Sequence, residues 1–175
     1  HFEARRQRQM CIRDRVKALR MKFREEINSA KIRNVAMNFL TGREFSRAEL
    51  SSKLCKRFDG HQDINNVLDQ LQQDGLQSDH RFAGAFLRSR VSRGQGMSRI
   101  RADILSKGIE KELLNLVLAE QDIDWYALAR DVAKRKFGSQ QPLDQKAKAK
   151  QMRFLQYRGF NFDQIKCALC EVIGD

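Results

Sequence analysis

The sequence is poor in the residues that punctuate β-rich folds. Its 175 residues include one proline, Pro142, ten glycines and only 8% aromatic residues. An all-β fold would need more turn residues and more β-branched side chains, so this composition predicts an all-α protein. The sequence also lacks any apolar run near the ~20 residues that cross a bilayer, and it shows no apolar signal-peptide core. We therefore expect a cytoplasmic protein with no membrane contact.

Residues that build disulfide scaffolds, metal sites and catalytic centres are scarce too. Only Cys167 and Cys170 are close together among the four cysteines, and they fall inside a helical pattern without a neighbouring histidine. This setting favours reduced structural thiols over a metal or redox site. The three histidines lack partners at ligand spacing, and neither a nucleophile elbow nor a phosphate-binding lysine loop occurs. We expect no cofactor, no metal and no enzymatic activity.

Acidic residues are too few to balance the basic ones. The chain has 34 lysines and arginines against 22 aspartates and glutamates, a net charge of +12. Residues 1–33 hold 11 of the basic and 4 of the acidic residues, so the excess is concentrated there. A basic chain suggests a polyanionic partner. Residues 1–27 form a basic segment, which is a helical extension, a disordered basic arm or a sequence foreign to the natural start, and we assign it no function.

An internal repeat runs from residue 28 onward. Leu54, Ile104 and Leu155 lie 50 and 51 residues apart. Steps of 10, 13 and 14 residues from each of them reach three further apolar sets, which are Ile64, Leu114 and Ile165, then Val67, Val117 and Ala168, then Leu68, Leu118 and Leu169. Agreement at four positions in three copies indicates tandem repeats. We predict that they span residues 28–76, 77–122 and 123–175.

Each copy is predicted to contain three helices. In the first copy, apolar residues spaced by three and four precede stops at Gly42 and Gly75. A capping box of Ser46 and Glu49 opens the second helix of that copy. Units of about 50 residues are small for independent cores, so we expect neighbouring units to pack into an elongated, curved array.

The other two copies follow the same plan. Helices are predicted near 79–92, 97–107 and 110–121, and then near 124–137, 143–157 and 161–173. Asp79, Asp124 and Asn161 are predicted N-caps, and Pro142 marks a turn.

Arginines crowd around one of the predicted links between helices. The stretch "RSRVSRGQGMSRIR" (88–101) places Arg93 in the link beside Gly94, with the other arginines on the flanking helices. Guanidinium groups pair bidentately with phosphates or carboxylates, so several could converge on one anionic surface. Further basic residues recur in the third copy, namely Lys134, Arg135, Lys136, Lys146, Lys148, Lys150, Arg153 and Arg158. The run at 134–136 also fits the ordinary preference for cations at a helix C-terminus.

Three segments, taken in their order along the chain, carry a family resemblance. They are "SRAELSSKL" (46–54), "INNVLDQLQQDGLQSDHRFAGAFLRSRVSRGQGMSRIRADILSKGI" (64–109) and "FLQYRGFNFDQI" (154–165). In this order they resemble the RecX family, regulators of the RecA recombinase, over residues 28–173. The resemblance implies three tandem three-helix repeats, helix-turn-helix-like, in a non-enzymatic inhibitor. Such a protein binds the groove of the RecA–single-stranded DNA filament and restrains ATP hydrolysis, strand exchange and cleavage of the repressor LexA.

The family motifs also suggest which residues matter. Positions matched to them and expected to be structural are Gly94, Ile100, Leu105, Gly108, Ile109, Gly159 and Phe160. We expect the two glycines at 108 and 159 to permit tight turns, and the residues after them to fill the repeat core.

Eight cations are the candidate contacts with the filament. They are Arg88, Arg90, Arg93, Arg99, Arg101, Lys107, Arg153 and Arg158. We expect a monomer whose partners are the RecA filament and, weakly and with salt sensitivity, single-stranded or double-stranded DNA. One alternative is a stand-alone nucleic-acid-binding protein in which each unit acts like a helix-turn-helix. Another is a helical scaffold with a different protein partner.

Overall fold

A computed structural model describes residues 28–138 and 144–170 of the chain. This part of the chain is helical and contains no strand, so the all-α prediction is confirmed for it. Its nine helices are α1 (Ser29–Gly42), α2 (Arg47–Phe58), α3 (Ile64–Gln73), α4 (Asp79–Ser92), α5 (Met97–Leu105), α6 (Lys111–Ala119), α7 (Trp125–Phe137), α8 (Gln145–Arg158) and α9 (Phe162–Cys170).

The helix bounds predicted for the second and third copies lie within two residues of the observed ones wherever the structure describes them. Three expectations fall outside the described residues. They are the basic segment 1–27, the turn at Pro142 and the end of the last helix at residue 173.

Side-chain caps explain where several helices begin. The Oγ of Ser46 accepts a hydrogen bond from the Glu49 amide (3.1 Å) at the start of α2. Asp124 caps α7 by accepting from two amides of its first turn, each at 2.9 Å. Asn161 and Gln164 form a reciprocal box at α9, in which each side chain accepts from the other residue's amide (2.8 and 2.9 Å). The three N-caps predicted at these positions are confirmed.

The predicted N-cap at Asp79 is wrong. Ser78 caps α4 instead, because its Oγ accepts from the Arg81 amide (3.3 Å). Asp79 is the first helical residue, and its Oδ1 accepts from the Arg47 amide (2.7 Å) at the start of α2. The carboxylate therefore satisfies an amide that α2 leaves without a helical partner.

The repeated apolar positions are core positions. All of them are buried except Leu118, which is partly buried. The first and third helices of each predicted copy pack together, as α1 with α3, α4 with α6 and α7 with α9. The 50-residue spacing thus reflects one packing arrangement that recurs three times.

The described chain forms two compact units. The first comprises residues 28–43 and 50–77, and the second comprises residues 44–49, 78–138 and 144–170. In the first unit, the ion pair between Arg33 and Asp74 (2.8 Å) joins α1 to the end of α3. The second unit holds two clusters of buried apolar side chains, one around Leu87, Ile104 and Leu114 and the other around Leu155. No helix in the described ranges is both long and apolar enough to span a membrane.

Candidate functional site

The link between α4 and α5 is fastened to the turn between α8 and α9. The amide of Gly96 donates to the carbonyl oxygen of Arg158 (2.8 Å), and the amide of Ser98 donates to that of Gly159 (3.1 Å). These carbonyls lie at the end of α8, where the last carbonyl oxygens of a helix have no amide donors within the helix itself. The link thereby joins the second three-helix segment to the third by main-chain hydrogen bonds.

Glycine is required on both sides of this junction. Gly159 has a φ of +94°, and a Cβ there would lie 2.5 Å from the Cβ of Arg99. A Cβ on Gly96 would overlap the main chain of Gly159. Gly94 has a φ of +69°, and its Cβ would lie 2.5 Å from a methyl carbon of Val132. Any side chain would push the segments apart, since contacts this short are repulsive.

Two of the candidate cations help to hold the junction. The Nη1 of Arg158 donates to the carbonyl oxygen of Arg93 (2.8 Å), and its guanidinium carbon lies 5.1 Å from the centre of the Phe154 ring. The Nη1 of Arg99 donates to the carbonyl oxygen of Tyr157 (3.2 Å) and its guanidinium lies over the ring of that residue. These side chains are therefore positioned by the fold.

A basic cavity of about 190 Å³ opens beside the link. Its walls come from the link, α7 and α8, and the residues that line it are Arg93, Val132, Arg135, Lys136, Phe154 and Arg158. The position of a Cβ on Gly94 is 3.7 Å from the Nη2 of Arg135 and 3.8 Å from the Nη1 of Arg158. The two guanidinium groups thus converge on the same few ångströms of the link.

No carboxylate of the described residues neutralises this cavity. In the part of the chain that the structure describes, the ion pairs of the second unit lie elsewhere, for example Lys107 with Glu49 (2.8 Å) and Arg90 with Asp103 (3.7 Å). None of the four cations that line the cavity is paired with an aspartate or glutamate there. Among the described residues, the cavity is consequently a local concentration of positive charge without carboxylate partners.

The eight candidate contact residues divide into groups. Arg93 and Arg158 meet at the cavity, and Arg99 lies at the junction. Arg90 and Lys107 have carboxylate partners, and Arg90 also lies over the ring of Phe86 at 4.6 Å. Arg88 and Arg153 are exposed, whereas Arg101 is half-buried with its Nε shielded from solvent. The structure brings together only part of the set at one site.

The residues matched to the family motifs occupy distinct environments. Ile100, Ile109 and Phe160 are buried. A Cβ on Gly108, whose φ is +77°, would lie 2.5 Å from the Cβ of Ala48. Leu105 differs from the structural role expected of it, because it is 40% exposed. It follows the buried Ile104 directly, and one residue turns a helix by about 100°, away from the core.

The sequence placed Arg135 and Lys136 among the recurring basic residues of the third copy, with the end of a helix as an alternative explanation, and neither was a candidate contact. Both are solvent-exposed cations in the last turn of α7, as that assignment requires. The additional signal was their spacing from Val132, since residues i, i+3 and i+4 share one helix face. Val132 is buried at the junction, so the two cations on its face lie at the rim of the same site.

Other chemistry is sparse in the described residues. They contain no group of three or more side chains that could hold a metal ion. Cys55 and Cys170 are exposed thiols and Cys167 is a half-buried one. The distinctive feature of the described residues is therefore the basic junction. It indicates the class of this protein, which is an all-helical repeat protein with an anion-attracting surface between two consecutive three-helix segments.

Comparisons with known proteins identify the family. The model of the second three-helix domain of RecX matches residues 78–118, and the model of the third matches residues 122–169. A regulatory protein RecX from Halorhodospira halophila is 40% identical over 142 residues, which are 80% of this chain and 87% of the relative. Another from Chromohalobacter salexigens is 42% identical over 137 residues, 78% of this chain and 90% of the relative. The chain belongs to the RecX family of regulatory proteins.

Solved structures show the same fold. The crystal structure of RecX from Lactobacillus salivarius superposes with a TM-score of 0.68 at 21% identity, covering 82% of this chain and 96% of the other. A second crystal structure of a regulatory protein RecX gives the same TM-score at 18% identity, covering 89% of this chain and 77% of the other. At such identities the likeness concerns the fold, which agrees with the helical architecture described above.

Proposed function

We propose that this protein is a non-enzymatic regulator of RecA that binds in the groove of the RecA–single-stranded DNA filament. Binding there restrains ATP hydrolysis, strand exchange and LexA cleavage. Membership of a family whose relatives are named regulatory proteins supports the regulatory part of this proposal.

The observation that supports this contact surface is the positive charge at the junction, which has no carboxylate partner among the described residues. Arg93 and Arg158 share a cavity with two further cations and no carboxylate from the described residues. A surface of one sign attracts the acidic groove of a nucleoprotein filament over several ångströms and speeds docking. The remaining candidates, such as the exposed Arg88 and Arg153, extend the same surface in our proposal.

Inhibition then needs no chemical step. A monomer built of repeated units can contact successive RecA subunits, and such multiple contacts raise the overall affinity because the later ones form at high effective concentration. Bridged subunits cannot make the relative movements that accompany hydrolysis and strand exchange. DNA is a second, weaker partner, and contacts with its phosphates weaken as salt displaces the protein's cations.

The test is RecA-dependent, DNA-stimulated ATP hydrolysis titrated with the protein at two salt concentrations. The full chain and a chain that begins at residue 28 are compared, because the first 33 residues carry so much of the net charge. We expect both to inhibit at well below one molecule per RecA, and less strongly at the higher salt concentration. Absence of inhibition at any ratio would reject the proposal. DNA binding without inhibition would instead support the stand-alone nucleic-acid-binding alternative.

A further inference from the structure

The basic cavity differs from an ordinary charged surface because it is concave and is lined by both apolar and cationic residues. Its lining combines two apolar residues, the buried Val132 and the half-buried Phe154, with three arginines and one lysine. The lining comes from the α4–α5 link, the C-terminal half of α7 and the C-terminal half of α8. Two helix ends and a loop thus meet around one small volume.

Two of the guanidinium groups at the cavity are held in place by the protein itself. The Nη1 of Arg158 donates to the carbonyl oxygen of Arg93 and its guanidinium lies against Phe154. The Nε of Arg135 donates to the carbonyl oxygen of Asp131 (3.3 Å), one helical turn earlier. Because these bonds use only one nitrogen of each group, other N–H donors stay available. An arginine fixed in this way loses less side-chain entropy when an anion binds.

The chemistry of this cavity favours a phosphate over a carboxylate. A phosphodiester presents acceptor oxygens in several directions, which suits donors that arrive from three walls. The apolar part of the lining suits the sugar that accompanies each phosphate of a nucleic acid. A single carboxylate would leave most of the four positive charges uncompensated, whereas a strand brings the next phosphate only a few ångströms away.

We propose that the cavity lined by Arg93, Arg135, Lys136 and Arg158 is a binding site for a backbone phosphate of nucleic acid. Arg135 and Arg158 donate hydrogen bonds to this phosphate, and Lys136 and Arg93 neutralise the next phosphate of the strand. The inference deepens the proposed function, on which it rests for its biological setting, by assigning DNA to one defined site within the larger surface.

The test measures DNA binding in the absence of RecA. The full chain is titrated into a fluorescein-labelled oligothymidine of about 20 nucleotides, and anisotropy is followed from low to moderate salt. The variant is Arg135→Gln combined with Lys136→Gln. The matched control is Lys134→Gln combined with Lys150→Gln, which removes the same charge from α7 and α8 at exposed positions outside the cavity. Circular dichroism verifies that both proteins are folded.

We expect the cavity variant to bind roughly 20-fold more weakly near 0.1 M salt, and its slope of log affinity against log salt to fall by about 1.4, which is about 0.7 for each lost phosphate contact. The control should lose less than about 3-fold in DNA affinity, since its charges attract the DNA only at long range, where salt screens them. An Arg135→Lys variant should keep the salt slope of the native chain but bind more weakly, because an ammonium cannot donate as a fork.

Two results would overturn the inference. Equal losses in the cavity variant and the control would mean that only total charge matters. Unchanged DNA affinity together with lost inhibition of RecA would mean that the cavity receives an acidic group of the protein partner. If the native chain fails to inhibit RecA while the DNA results hold, the proposed function falls and the phosphate site stands.

Discussion

The main chain of Gly96 lies directly against the main chain of Gly159, although 63 residues separate them in sequence. The amide of Gly96 donates to the carbonyl oxygen of the residue before Gly159 at 2.8 Å, and neither glycine has room for a Cβ. This contact joins two consecutive three-helix segments and brings the link with Arg93 beside the ends of α7 and α8.

Substitution of Gly159 should destabilise the protein strongly. In Gly159→Ala the new methyl group meets the Cβ and the amide nitrogen of Arg99 at 2.5 Å, and the residue must also keep a φ of +94°. We expect a loss of about 3 kcal/mol in the free energy of unfolding, measured by urea titration with circular dichroism. Gly75→Ala is the control, because its φ is also positive (+68°) but its Cβ would meet nothing within 4 Å. It should cost about 1 kcal/mol, and equal losses would contradict the close contact.

Two phenylalanines near the start of α9 should contribute very differently to the free energy of unfolding. Phe160 is 3% exposed in the apolar cluster around Leu155, whereas Phe162 is 66% exposed. Phe160→Ala should cost about 3–5 kcal/mol, because it removes buried surface and leaves a cavity. Phe162→Ala should change the free energy of unfolding by less than about 0.5 kcal/mol. A small effect of the first substitution, or a large effect of the second, would show that this core is assigned wrongly.

A buried hydroxyl should make a measurable contribution to stability. The Oγ of Ser46 donates to the carbonyl oxygen of Lys107 (2.7 Å) while it accepts from the Glu49 amide. Ser46→Ala loses both bonds in a buried position, so we expect a cost of about 2 kcal/mol in thermal unfolding. Ser98→Ala, an exposed serine in the first turn of α5, should cost less than about 0.5 kcal/mol. Similar shifts in melting temperature for the two variants would refute this role of Ser46.

Candidate cations with carboxylate partners should matter less for inhibition than those without one. The Nζ of Lys107 is 2.8 Å from Glu49, whereas the exposed Arg93, which lines the cavity, has no acidic partner among the described residues. Lys107→Gln should therefore change the concentration needed for half-inhibition of RecA ATP hydrolysis by less than about 2-fold. Arg93→Gln should raise it about 5-fold, which corresponds to about 1 kcal/mol. The reverse order would show that charge pairing within the protein does not decide which cations bind.

Much of the fold could be predicted from the sequence because the repeat places apolar residues at fixed intervals. Leu54, Ile104 and Leu155 recur at equivalent positions and are all fully buried, so one pattern predicts three cores. The caps at Asp124 and Asn161 were also readable, since their partners lie within three residues. The cap at Ser78 was missed, because the neighbouring Asp79 is an equally suitable cap by type and its carboxylate serves a different helix.

The site was less accessible to sequence reasoning. The arginine cluster at residues 88–101 was recognised, but its meeting with Arg135 depends on a link that folds back across about 40 residues of chain. No local periodicity encodes that contact. It follows from main-chain hydrogen bonds at Gly96 and from the space that the glycines leave, both of which exist only once the two segments have packed.

The most direct measurement is inhibition of RecA ATP hydrolysis by an Arg93→Glu variant. The substitution leaves the junction intact, because Arg158 bonds to the main-chain carbonyl of residue 93 and not to its side chain. The exposed Lys111, at the start of α6, supplies the matched control Lys111→Glu. We expect the half-inhibitory concentration to rise at least ~10-fold for Arg93→Glu and less than about 2-fold for the control. Unchanged inhibition by the folded Arg93→Glu protein would contradict a regulator that acts on RecA through this basic junction.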